Sequence, residues 1–82
     1  MQNSVVQAFL SEIPTGENVI IASLCEGNEL NRRLTSLGFT PGTGINIVQN
    51  YGHGPMIVSV RGTRIALGRG EASKIFVQKE EL

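Results

Sequence analysis

Short apolar runs alternate along this chain with tight clusters of glycine, proline and small polar residues. "NVIIASL" (18–24) is apolar on both faces, which predicts a central strand. Leu30, Leu34 and Leu37 then fall at i, i+4 and i+7, a narrow stripe on one face of a helix over about residues 29–37. Asn28 suits the N-cap, and Glu29 suits the positive end of that helix. Gly38 fits the left-handed residue that closes a helix, with Phe39 folding back over the last turn. Pro41-Gly42 turns the chain and Gly44 opens the next strand, "INIVQNY" (45–51).

Period-two alternation continues from there. Met56, Val58 and Val60 of "MIVSV" (56–60) share one face, and Ile65 and Leu67 of "TRIAL" (63–67) point inward with Arg64 outward. "GHGP" (52–55) is a tight loop, Arg61-Gly62 is a two-residue hairpin turn, and "KIFV" (74–77) is a short last strand. "GRGEAS" (68–73) reads as a loop with room for one helical turn, and residues 78–82 as a polar tail that frays. Val5, Val6, Phe9, Leu10 and Ile13 are spaced as on a helix, yet the paired valines also suit an extended arm, so residues 1–9 stay open. The sum is a mainly β domain: a small barrel of about five short strands, with one α-helix inserted after the first strand.

Length limits the 82 residues to one domain. Net charge is zero, with seven cations and seven acids, which argues against a general nucleic-acid binder. The longest apolar stretch, "VIIASLC", is far short of the ~20 residues that span a bilayer. No secretory leader is evident, and one cysteine, Cys25, supports no internal disulfide. A soluble, cytoplasmic protein is expected.

Candidate chemistry is sparse. His53 is the only histidine, and its ordinary role in such a loop is an exposed residue; it is at most a weak candidate metal ligand. Cys25 reads as a small buried hydrophobe, and Glu26 and Glu29 as a solvated helix start. "GRGEAS" lacks the context of a phosphate loop, because neither GxxxxGK[ST] nor GxGxxG occurs. With no paired carboxylates and no nucleophile–base set, an enzyme is not expected. Arg32, Arg33, Arg61, Arg64 and Arg69 hold five of the seven positive charges. They make either a solvated face or a cationic patch whose planar guanidinium groups meet acidic partners.

"RRLTSLGFTPGTGINIV", followed by a loop with Gly-Pro and then "IVSVRGTRIALGRGEASKIFV", resembles the FeoA family, as does the opening "LSEIPTGENVIIASL". The resemblance covers about residues 10–77, leaving 1–9 as an arm and 78–82 as a tail. It implies an SH3-like barrel in a cytosolic accessory module. Such a module binds the cytosolic domain of FeoB, a membrane ferrous-iron transporter of bacteria, at the inner face of the membrane. It implies no enzymatic activity; the neutral charge leaves no nucleic-acid partner expected, and no cofactor is expected beyond a weakly bound transition metal. Arg33, Arg61, Arg64 and Arg69 are the expected partner-binding residues. The alternative is a protein that binds a transition metal weakly and carries or senses iron through His53, Cys25 and Glu26. Two departures stand out. Leu67-Gly68-Arg69-Gly70-Glu71-Ala72 has glycines where the family often has Leu-Arg-Arg-Glu-Glu-Ala, and is expected to be more mobile. Gly44 stands where many relatives carry a polar side chain.

Overall fold

The computed structural model of the chain describes residues 4–24 and 28–81. Six strands run β1 (Ser4–Phe9), β2 (Asn18–Leu24), β3 (Gly44–Gln49), β4 (Met56–Val60), β5 (Thr63–Leu67) and β6 (Ile75–Glu81). Helix α1 (Asn28–Ser36) lies between β2 and β3, and the short helix α2 (Arg69–Ala72) between β5 and β6. A single 3-10 turn, Leu10–Glu12, follows β1. All strand pairs are antiparallel, in the order β1-β6-β2-β3-β4-β5.

The mainly β architecture and the inserted helix are as expected, but the described residues form six strands. Residues 4–9 are a strand, paired from Ser4↔Glu81 to Phe9↔Phe76. Of the tail expected to fray over 78–82, residues 78–81 continue β6 along β1, and Gln78 also pairs with Ile20 of β2. The spacing of Val5, Val6 and Phe9 fits either period; what decides is the waiting backbone of β6. Phe9 and Phe76 meet edge to face on the outer side, with centroids 5.4 Å apart. The sheet is also not closed into a barrel: β5 and β1 are free edges. Irregular register between Ile21 and Ser23, and between Ile47 and Gln49, bends it around the core.

That core is apolar throughout. Val19, Ile21, Ile45, Ile47, Met56, Val58, Val60, Leu67, Ile75 and Val77 project inward from the strands. Leu34 of α1, Phe39, Leu10 and Ala72 join it, all fully buried, and Ile13 is buried with them. Leu30 and Ile65 pack on its margin. Removing a side chain such as Leu34 or Phe39 would cost about 2–5 kcal/mol.

The exit from α1 follows from its residues. Gly38 has φ +102°, a backbone geometry that disfavours any Cβ. The Phe39 amide donates to the Leu34 carbonyl at 2.9 Å, and the Gly38 amide to that of Thr35 at 3.0 Å. These two bonds satisfy carbonyls that the helix end leaves open. Phe39 then buries itself beside Leu34.

Candidate functional site

The β4–β5 hairpin carries the first site residues. A two-residue loop links the strands, and both of its residues are left-handed: Arg61 at φ 52° and Gly62 at φ 81°. This is the type I′ turn that matches strand twist. Glycine is at ease there; arginine is strained by about 1 kcal/mol. The Arg61 side chain runs back over Gly38, where a Cβ would lie 3.3 Å from its Cδ. Arg64, one residue into β5, is exposed on the outer face. Neither arginine forms an ion pair among the described residues.

Arg33 and Arg69 stand differently. Arg33 of α1 forms an ion pair with Glu71 of α2. The other oxygen of Glu71 accepts from the Gly68 amide at 3.1 Å, so one carboxylate both caps α2 and ties it to α1. Arg69 is half-buried and turned into the fold. Its guanidinium donates to the Ser11 and Gly54 carbonyls, each at 3.2 Å, and to the Asn50 side-chain oxygen. The segment expected to be mobile is therefore a helical turn held at both ends.

Asn50 is the residue that sequence reasoning missed. Its amide nitrogen donates to the Ile13 carbonyl at 2.7 Å and the Ser11 carbonyl at 3.2 Å. Its side-chain oxygen accepts from Arg69 and from the Gly52 amide. Its backbone amide donates to the Thr15 hydroxyl at 2.8 Å. One side chain thus fixes the 50–55 loop, the 3-10 turn and α2 together. A polar residue between a strand and a Gly-rich loop was the only signal in the sequence, and many loops share it.

His53 sits exposed in that loop. Among the described residues, no three His, Cys, Asp or Glu side chains gather as a metal site. Cys25 and Glu26 lie outside the described residues.

Two shallow hollows mark the surface. One, about 430 Å³, lies on the outer face of the sheet beside Ile20 and Gly44, with Asn18, Asn46 and Gln78 around it. A Cβ at position 44 would meet nothing within 4 Å, so the hollow has room for a side chain there. The second, about 520 Å³, lies between the end of α1 and the β4–β5 hairpin. Leu37 and Ile65 supply its apolar part, Thr35, Ser36 and Thr63 its hydroxyls, and Arg61 its rim. Leu37 is 38% exposed there.

An antiparallel sheet bent over one core, with a helix inserted after its second strand, defines a small SH3-like β domain. Solved structures carry the same fold. A crystal structure of an iron uptake regulatory protein, FeoA, superposes with TM-score 0.84 at 33% identity, over 93% of this chain and 100% of that one. The Stenotrophomonas maltophilia FeoA complexed with zinc, described as an SH3 domain protein, gives TM-score 0.77 at 31% identity, over 87% and 94%. The Methanocaldococcus jannaschii protein named "Putative Fe(2+) transport protein A" is 39% identical over 74 residues, 90% of this chain and 85% of its own. The FeoA domain model matches residues 9–79. The chain belongs to the FeoA family. No helix among the described residues is long and apolar enough to cross a membrane.

Proposed function

We propose that this chain is an accessory module of ferrous iron uptake that docks on the cytosolic domain of an FeoB-type transporter through its β4–β5 hairpin. Membership of the FeoA family supports the iron-transport setting. The observation that carries the docking surface is the uncompensated charge of the hairpin. Glu71 and Glu17 are engaged by Arg33 and Lys79, while Arg61 and Arg64 project with no carboxylate partner among the described residues. An acidic surface on the partner would complete them. Arg33 and Arg69 support the surface from behind by holding α1, α2 and the 50–55 loop in place.

Titration of the cognate transporter's cytosolic domain, a GTP-binding domain in the FeoB transporters that the family resemblance implies, with GDP or a GTP analogue present, tests this. Arg61→Glu with Arg64→Glu should weaken binding at least about tenfold, since close charge pairs at interfaces couple by about 1.5 kcal/mol or more. Lys74→Glu, a cation outside the hairpin, should leave it unchanged. Binding indifferent to the hairpin reversals, or absent with both nucleotides, removes the reading.

A second reading, direct transition-metal binding, has one observation in its favour: the zinc complex of the Stenotrophomonas maltophilia relative. Dialysis against zinc or ferrous iron followed by metal analysis decides it. A stoichiometry near zero in wild type, or one unchanged by His53→Ala with Cys25→Ser, excludes His53 and Cys25 as ligands.

A further inference from the structure

The free edge of β5 adjoins both the hairpin arginines and the 520 Å³ cleft. The register fixes which groups that edge presents. Val60↔Thr63 closes the hairpin, so this pair and Val58↔Ile65 exchange hydrogen bonds across the ladder. Ser59↔Arg64 and Ile57↔Ala66 are the pairs between them. The amides and carbonyls of Arg64 and Ala66 therefore point away from β4, towards the open side. Among the described residues β5 pairs with β4 alone, so no described strand meets them there.

Side chains on the same strand divide by face. Thr63 and Ile65 border the cleft, on the side where Leu37 follows α1. Arg64 and Ala66 lie on the outer face, exposed. A strand laid against β5 would continue this alternation. Its inward side chains would enter the cleft against Leu37 and Ile65, and its outward ones would lie beside Arg64. No carboxylate lines the cleft among the described residues, and Arg61 stands on its rim.

We propose that β5 is a strand-addition edge, which accepts an extended partner segment of alternating apolar and acidic residues as a seventh strand. The main chain of that segment bonds Arg64 and Ala66, its apolar side chains fill the cleft, and its outward carboxylates meet Arg64, while Arg61 closes the rim of the cleft. Charge complementarity selects an acidic segment over a second copy of this chain, whose own β5 edge would bring Arg64 towards Arg64. Arg61 persists in a left-handed turn because its side chain serves the rim; glycine there would be unstrained. The inference deepens the docking reading, since it names the part of the transporter domain that would be recognised: an acidic extended segment.

The test uses the whole isotope-labelled chain and two probes: a short synthetic peptide of alternating glutamate and valine, and the cognate transporter's cytosolic domain. With the peptide, the Arg64 and Ala66 amides should shift and exchange with solvent more slowly. Arg64→Glu should weaken the peptide about tenfold. A lysine–valine peptide should fail on wild type and bind the Arg64→Glu variant. Ala66→Pro, which removes an outward amide and no ladder bond, should abolish binding; the wild-type exchange data stand without it should that variant not fold. Peptide-induced shifts that spare Arg64 and Ala66, or no binding at all, overturn the inference. So does protection of these amides that rises with concentration of the free chain, because the occupant is then a second copy. If the transporter domain binds while both amides stay unprotected, the edge inference falls and the docking reading stands. If the peptide protects them and the transporter domain does not bind, the docking reading falls and the edge inference stands.

Discussion

Gly38, Arg61 and Asn50 show what single residues contribute. Gly38→Ala should lower stability by about 1–2 kcal/mol, the cost of a side chain in left-handed backbone, and the contact with Arg61 adds to it. Chemical denaturation reads this directly. Arg61→Gly has opposed effects. It relieves about 1 kcal/mol of left-handed strain but gives the unfolded chain freedom worth about as much. The denaturation midpoint should stay close to wild type while partner binding falls. A large stability loss would mean that Arg61 is retained for packing over Gly38 and not for its charge. Asn50→Ala takes a partner from Arg69, the Gly52 amide and the Ile13 carbonyl, and should cost about 2 kcal/mol. The glycines that end α1 and close the hairpin were readable beforehand, because left-handed backbone restricts the choice of residue. Asn50 and Arg69 were not, since their partners lie far away in sequence: Ser11 is 58 positions from Arg69. Two of the four arginines expected at the partner surface thus have internal partners, which composition alone does not show.

At the scale of elements, strands with clean alternation were legible, and the two ends of the chain were not. β4 and β5 fall at the expected residues, and α1 begins one residue earlier and ends one earlier than expected. β1 and the end of β6 carry mixed patterns, Val-Val-Gln-Ala-Phe against Phe-Val-Gln-Lys-Glu, and become strands by pairing, β1 with β6 and β6 with both β1 and β2. Propensity yields to tertiary context there. Two measurements check that pairing. Amides at the ladder positions of β1 should be protected from exchange, as those of a frayed arm would not be. A double-mutant cycle of Phe9→Ala and Phe76→Ala should return a coupling of about 0.5–1.5 kcal/mol. Zero coupling would leave the two rings as independent surface residues.

The whole molecule is neutral, yet its charges are unevenly committed. Ion pairs join α1 to α2 and Lys79 to Glu17, while the far hairpin keeps two arginines facing solvent. Partner binding should therefore weaken as salt rises from about 0.1 to about 1 M, where the screening length shrinks from about 10 to about 3 Å. Affinity that holds across that range would place binding on apolar contacts alone. The open sheet has a mechanical corollary. Ser4 lies opposite Glu81, so the two ends of the described chain leave the same corner of the fold on adjacent strands. Tension applied between them opens the β1–β6 seam like a zipper, one bonded pair at a time, and never loads the whole seam in shear. In a force spectrometer, tethers at these positions should peel β1 at low load before the rest gives way. A tether moved from Glu81 to the Arg61-Gly62 turn would pull against the interior of the sheet and meet far stiffer resistance.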